Sequence, residues 1–258
     1  MNQHVFKSIQ RKDVQDHLYC LYVELASILD QKSVKHIAAA GTMLGAVRNG
    51  GIIPWDDDID LYISVKGFQR VSGSGGAGEL GYFQAPYKGS PIPYPYLKYK
   101  SKNYWAYNEL VCDWEQVSID IFPLELVPKN SVAKGVHIVC VSFLKRIWNY
   151  STNNTTYKIH SSLVDRCLVY LATGAYKALT ILSGVFRGQH HNLRGQWIGR
   201  ECFSVDPFLD VDSNKFGDVT IPVPLVYDAY LTHVYGEYRQ PPPKSARVPH
   251  SDRYELRS

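Results

Sequence analysis

The chain has 258 residues, 45% of them hydrophobic and 20% charged, with a mean hydropathy of −0.22. That balance suits one sizeable core and excludes collagen-like, coiled-coil and wholly disordered architectures. Twenty-eight lysines and arginines face 24 aspartates and glutamates, without a basic run, so no nucleic-acid partner is expected.

The N-terminal residues Met1–Asp13 have no apolar segment behind their basic side chains, which predicts a cytoplasmic chain without a secretory signal. Val14, Leu18, Leu21, Leu25 and Ile28 recur at steps of three and four and predict an amphipathic helix over Asp13–Asp30. His36–Ala40 reads as a short strand ending at Gly41-Thr42. Met43–Arg48 then supplies a turn or two of helix before Asn49-Gly50-Gly51. Pro54 introduces Trp55-Asp56-Asp57-Asp58-Ile59-Asp60-Leu61-Tyr62-Ile63, whose second half alternates as a strand does. Ser72–Gly78 has the composition of a flexible linker and reads as a replaced loop, with a natural glycine-rich loop as the alternative.

The tyrosine- and proline-dense stretch Tyr82–Tyr107 suits edge strands and irregular connections. Val117–Phe122 is a second strand, with Asp120 at its middle. A helix is predicted along Val132–Ile147, a longer helix or a helix pair along Leu163–Val185, and a helix from Tyr227 to Val234 between Pro224 and Gly236. After Pro241-Pro242-Pro243 the tail should be extended to His250. The apolar run Leu163–Phe186 is interrupted by charges and falls short of a membrane span of about 20 residues. It leaves open a peripheral contact with the inner face of a membrane. The five cysteines are scattered and read as reduced. No repeat or long linker divides the sequence, which predicts a single α+β domain over residues 1–258.

The acids carry the chemistry. On a strand, Asp56, Asp58 and Asp60 share one face, and two carboxylates about 6 Å apart repel by roughly 3 kcal/mol at an effective dielectric near 20. A divalent cation removes that conflict, and a set of oxygen ligands suits Mg²⁺ or Mn²⁺ with substrate phosphates completing the shell. A solvated acidic turn and a calcium loop are the alternatives. The calcium loop lacks its glycine and its terminal glutamate here. Gly41 and Thr42 lie upstream on a strand-to-helix turn, where the backbone, a hydroxyl and a helix N-terminus suit a phosphate.

Gly41-Thr42-Met43-Leu44-Gly45-Ala46-Val47-Arg48 followed by Ile52-Ile53-Pro54-Trp55-Asp56-Asp57-Asp58-Ile59-Asp60 closely resembles the signature of the LicD family. That family includes bacterial phosphocholine transferases and, more distantly, fukutin and fukutin-related protein. Ile119–Leu124, Tyr230-Leu231, Tyr235–Tyr238, Pro242-Pro243 and Arg247 are further matches, so the likeness runs over roughly residues 13–250. The resemblance implies a nucleotidyltransferase-like fold: a mixed β-sheet core with flanking helices and a helical insertion. It also implies transfer of an alcohol phosphate such as phosphocholine from a CDP-activated donor to a hydroxyl of a cell-surface glycan, with release of CMP.

By the same resemblance Asp58 and Asp60 are metal ligands, with Asp56 a further candidate. Asp120 is a third ligand or the base that takes the acceptor's proton; a merely satisfied buried acid is its alternative. Arg48, Lys98 and Arg247 are candidates to neutralise a diphosphate, against the alternative of ordinary surface cations. Asn49 stands where family members often have histidine, which bears on donor specificity. Two other readings share the acids: a nucleotidyltransferase that moves a nucleoside monophosphate from a triphosphate to a small molecule or RNA, and an inactive glycan-binding relative.

Overall fold

The computed structural model describes residues 6–74, 76–84, 96–109, 112–151, 162–185, 189–192 and 200–257. Strand β1 (Phe6–Ile9) leads into helix α1 (Arg11–Gln31), whose first turn is capped where the Gln10 N–H donates to Asp13 Oδ2 at 2.8 Å. Val14, Leu18, Leu21, Leu25 and Leu29 fall on one face of α1 and are fully buried, each worth about 1.5–3 kcal/mol relative to exposure. Next come β2 (His36–Ala38), α2 (Ala40–Asn49), β3 (Ile59–Ser64), α3 (Val65–Ser74) and β4 (Gly81–Phe83). Two long strands, β5 (Leu97–Asn108) and β6 (Asp113–Val127), precede helices α4 (Ser131–Ser151) and α5 (Leu163–Val185). The remaining elements are β7 (Gln189–Asn192), β8 (Cys202–Phe203), the hairpin β9 (Val211–Phe216) and β10 (Val219–Pro224), α6 (Tyr227–Tyr235) and β11 (Tyr254–Arg257).

The main sheet runs β1-β11-β5-β6-β3-β2, with β4 on β5 and with β7 and β8 continuing from β6. This is the expected α+β architecture with a mixed, mostly antiparallel sheet. One local expectation changes. The tyrosine-rich β5 is not an edge strand, because it lies between β11 and β6. A register shift between Lys100 and Trp105 lets its first half pair with β4 and its second half with β11. Beyond Pro243 the tail makes one 3₁₀ turn, Lys244–Ala246, before it reaches β11.

Contacts divide the chain into two compact units. The first, Met1–Gln84 with Leu97–Phe122 and Phe208–Ser258, contains α1, strands β1 to β5 and β11 with most of β6, the β9–β10 hairpin, α2, α3 and α6. Its core joins the α1 stripe to Ile59, Leu61 and Ile63 of β3, Leu97 and Tyr99 of β5, and Ile119 and Ile121 of β6, all essentially inaccessible to solvent. The second, Ala85–Tyr96 with Pro123–Pro207, is built on α4 and α5. Val127, Val141, Leu144, Val169, Ala172 and Tyr176 form its core, where the Tyr176 hydroxyl donates to the buried Glu125 carboxylate.

The linker-like Ser72–Gly78 is divided in the fold: Ser72 belongs to the end of α3, and Ala77 bridges to Tyr82. The turn after it is anchored by Glu24 of α1, whose carboxylate accepts the N–H groups of Glu79, Leu80 and Gly81 at 2.6–3.0 Å and the Tyr99 hydroxyl at 2.5 Å. Burial opposes the charge on Glu24, yet these four bonds hold its carboxyl below the usual range. Glu24→Ala orphans all four donors and is expected to cost about 2 kcal/mol, read as a lower urea midpoint at unchanged slope.

Candidate functional site

The site is built where β2 hands over to α2. Ala40 takes a left-handed φ of +39°, a conformation that costs a non-glycine residue energy, and α2 begins at once. Gly41 and Thr42 therefore lie within the first turn of α2. The buried Thr42 hydroxyl accepts the Asp60 N–H at 2.8 Å, and the Asp60 carbonyl accepts the Ala39 N–H at 2.9 Å. The glycine-threonine pair is thus locked to the start of the acidic strand. A Cβ placed on Gly41 would stand 3.2 Å from Asp56 Oδ2. Glycine lets that carboxylate lie over the helix N-terminus, where the backbone dipole favours negative charge.

Asp56, Asp57 and Asp58 do not alternate along a strand as the spacing predicted. The strand β3 starts only at Ile59. The preceding residues form a turn held by the Asp56 N–H on the Ile53 carbonyl at 2.8 Å and by Gln15 Nε2 on the Asp56 carbonyl at 2.7 Å. Pro54 at the head of this turn favours irregular backbone over ladder pairing. Freed from alternation, all three side chains turn to one imidazole. His250 Nδ1 lies 3.4 Å from Asp56 Oδ1, 3.3 Å from Asp57 Oδ1 and 3.5 Å from Asp58 Oδ2. The second oxygen of Asp57 accepts the Tyr254 hydroxyl at 2.8 Å, and that hydroxyl accepts Arg11 Nε at 3.1 Å.

The titration of these groups follows from the crowding. Burial first, and then the Asp57 charge, push Asp56 up, against the pull of His250. Asp58 is held well above the usual carboxylate range by desolvation and by the charges of Asp56, Asp120 and Asp57. Its side chain is nonetheless 39% open to solvent. His250 is pushed up to about 9, chiefly by its hydrogen bond to Asp57 and then, against its own desolvation, by the charges of Asp58 and Asp56. The ring is therefore an imidazolium at neutral pH. It supplies one positive charge among three carboxylates.

This donor set fits a divalent cation. Among the described residues, Asp56, Asp57 and His250 each offer one ligand atom, all within 4.8 Å of one another. Two carboxylate oxygens and an imidazole nitrogen are a plausible partial shell for Mn²⁺ or Mg²⁺ once the ring proton has left.

The other expected site residues separate into three places. Asp60 is the second residue of β3, bound through its backbone to Thr42 and Ala39. Asp120 stands opposite Lys98 across the β5–β6 pair. The Lys98 ammonium lies 3.0 and 3.2 Å from its two carboxylate oxygens, and the Ser118 hydroxyl donates to it at 3.2 Å. Lys98 is thus engaged by an acid, whereas Arg48 and Arg247 flank Trp55. Their guanidinium carbons stand 6.0 and 4.8 Å from the Trp55 ring centre. Burial and the nearby charge of Arg247 together lower the pKa of Arg48. Two like charges gathered over one indole beside the acids invite a polyanion.

His250, Tyr254, Arg11 and Asp57 escaped the sequence reading. Asp57 was assigned to the wrong side by the alternation rule. The other three carry no motif: His250 lies nearly 200 residues from the acids, after a proline-rich run, and only the fold brings it back. Residues 85–95 of the tyrosine- and proline-dense stretch Tyr82–Tyr107 lie outside the described residues.

Residues 33–139 match the family described as LicD/FKTN/FKRP, nucleotidyltransferase domain. The chain is 34% identical over 58 residues to the lipopolysaccharide cholinephosphotransferase LicD of Haemophilus influenzae, a match covering 22% of each chain. It is 46% identical over 46 residues to the uncharacterized proteins RP689 of Rickettsia prowazekii and RT0683 of Rickettsia typhi, covering 18% of this chain and 17% and 15% of theirs. The chain therefore spans about a fifth of the length of the relatives it matches. The acids, Gly41, Thr42, Arg48, Lys98 and Asp120 fall inside the family segment; Arg11, Arg247, His250 and Tyr254 fall outside it.

Proposed function

We propose that this chain is a divalent-cation-dependent phosphotransferase that moves an alcohol phosphate, such as phosphocholine, from a CDP-activated donor to a hydroxyl of a cell-surface glycan. The observation that carries the reading is the convergence of Asp56, Asp57 and Asp58 on one His250 nitrogen beside the Trp55–arginine group. Asp56, Asp57 and deprotonated His250 hold Mg²⁺ or Mn²⁺, and the bound ion supplies charge screening for the diphosphate of the donor. Arg247 and Arg48 bind and orient that diphosphate against the Trp55 face. Gly41 leaves room for the Asp56 carboxylate at the α2 N-terminus, which steadies that ligand. Asp58, with its raised pKa and open face, takes the proton of the acceptor hydroxyl as the oxygen attacks the distal phosphorus. Asp120, clamped by Lys98 and Ser118, maintains the negative potential that keeps Asp58 basic. CMP leaves with its charge compensated by the arginines.

The test is a panel of CDP-choline, CDP-ribitol and CDP-glycerol with lipopolysaccharide or another glycan acceptor, in Mg²⁺ or Mn²⁺, with CMP as the readout. Selective CMP release names the head group. Pyrophosphate release from a nucleoside triphosphate, or no CMP from any donor, overturns the proposal. Arg247→Ala is expected to raise the donor KM about tenfold with a smaller change in kcat, as loss of a binding contact shared by ground and transition states requires. Steady-state kinetics at varied donor concentration checks it.

A further inference from the structure

Helices α4 and α5 are apolar on two faces, and the core explains only one of them. On α4, Val141 and Leu144 are buried in the core of the second unit. Val132, Val136, Val139, Phe143 and Tyr150 are 59–76% exposed. At 3.6 residues per turn these five lie within about 60° of one another, in a straight stripe facing away from that core. On α5, Val169, Ala172 and Tyr176 pack inward, while Leu163, Tyr170, Leu171, Ile181 and Leu182 are 54–76% exposed on the other side. Scattered exposed apolar residues need no explanation, but an exposed apolar face on each helix of a packed pair does. Among the described residues no helix is long and apolar enough to cross a membrane, so these faces suit a helix pair that lies on a surface.

Charge selects the occupant. The second unit contains eleven lysines and arginines against four aspartates and glutamates, and the first unit seventeen against twenty. Two of those four acids, Glu125 and Glu201, are buried. The sequence of α4 has no acid, and that of α5 has Asp165 alone. Exposed Arg146, Arg166 and Lys177 border these faces, where long cationic side chains rest their stems on apolar surface and keep their heads in the headgroup layer. A second copy of the chain would bring one net-positive unit against another, whereas an anionic bilayer offers both an apolar layer and the opposite charge.

We infer that the outward faces of α4 and α5 dock on an anionic lipid bilayer. The docking is independent of the reaction assigned to the acid cluster. The test is flotation of the full chain with phosphatidylglycerol–phosphatidylcholine vesicles, with pure phosphatidylcholine vesicles as the comparison. Light scattering without lipid reports self-association. The parent should float with the anionic vesicles and lose at least about tenfold in partitioning at raised ionic strength. Val139→Asp with Leu171→Asp should lose a similar factor while keeping the parent's circular dichroism and thermal midpoint, since both positions are exposed. Arg146→Glu with Lys177→Glu, which leaves the apolar face intact, should weaken binding to anionic vesicles selectively. No vesicle binding, equal binding to neutral vesicles, or a dimer abolished by the aspartate substitutions without any lipid affinity would overturn the inference.

Discussion

Asp58→Asn is expected to lower CMP release by about 10³-fold, the range for loss of a general base, while the cation-free protein becomes more stable. The sign follows from the direction of the shift. The folded-state pKa of Asp58 lies above its unfolded value because burial and three neighbouring carboxylates disfavour the charge. The ionised form therefore costs stability at neutral pH, and the neutral asparagine removes that cost. After solvent screening of a side chain that is 39% open, the gain is about 1 kcal/mol at pH 7. It vanishes in acid, where Asp58 is protonated in both states. The same variant should retain the stabilisation conferred by Mn²⁺, because Asp56, Asp57 and His250 remain. Asp57→Asn should lose most of it. Thermal unfolding with EDTA and with Mn²⁺, run beside the CMP assay, separates the two roles. If Asp58→Asn loses the Mn²⁺ shift as well, Asp58 is a ligand, as the family resemblance implies. Near-normal turnover in Asp58→Asn would remove it from the chemistry altogether.

Raising the pH should destabilise the cation-free protein and strengthen its hold on a cation. The folded pKa of His250 is pushed up to about 9 from an unfolded value near 6.5. The contribution of the imidazolium is thus fully present below about pH 6.5 and is lost as pH rises through about 9. The ring is two-thirds exposed, so after screening the loss is about 1 kcal/mol. Ligation requires the neutral ring, so Mn²⁺ affinity rises over the same window as the proton ceases to compete. Unfolding midpoints across this range, with EDTA and with Mn²⁺, should diverge. His250→Ala should flatten the cation-free slope and weaken Mn²⁺ binding at least about tenfold. A cation-free protein whose stability rises between pH 6.5 and 9 would contradict this account of the site.

Local pattern carried much of the fold. The step of three and four along Val14–Leu25 encodes α1, and the apolar run from Leu163 to Val185 encodes α5 with the bounds the structure gives it. Each signal lies within one element, where side-chain period and backbone hydrogen bonding depend on neighbours in sequence. The register shift in β5 is a different matter, since the pairing partners of a strand are set by what lies beside it.

The site divides along the same line. Sequence alone determined that four aspartates crowd into five positions, that this crowding demands positive charge, and that a glycine-threonine turn precedes them. Repulsion between near neighbours does not depend on the rest of the chain. Only the tertiary structure decided which charge answers it. The turn before β3 releases Asp57 from the opposite face, and β11 and the residues leading to it bring Tyr254 and His250 back to the acids. No local period encodes that return, because it is made by strand pairing and core packing across nearly 200 residues.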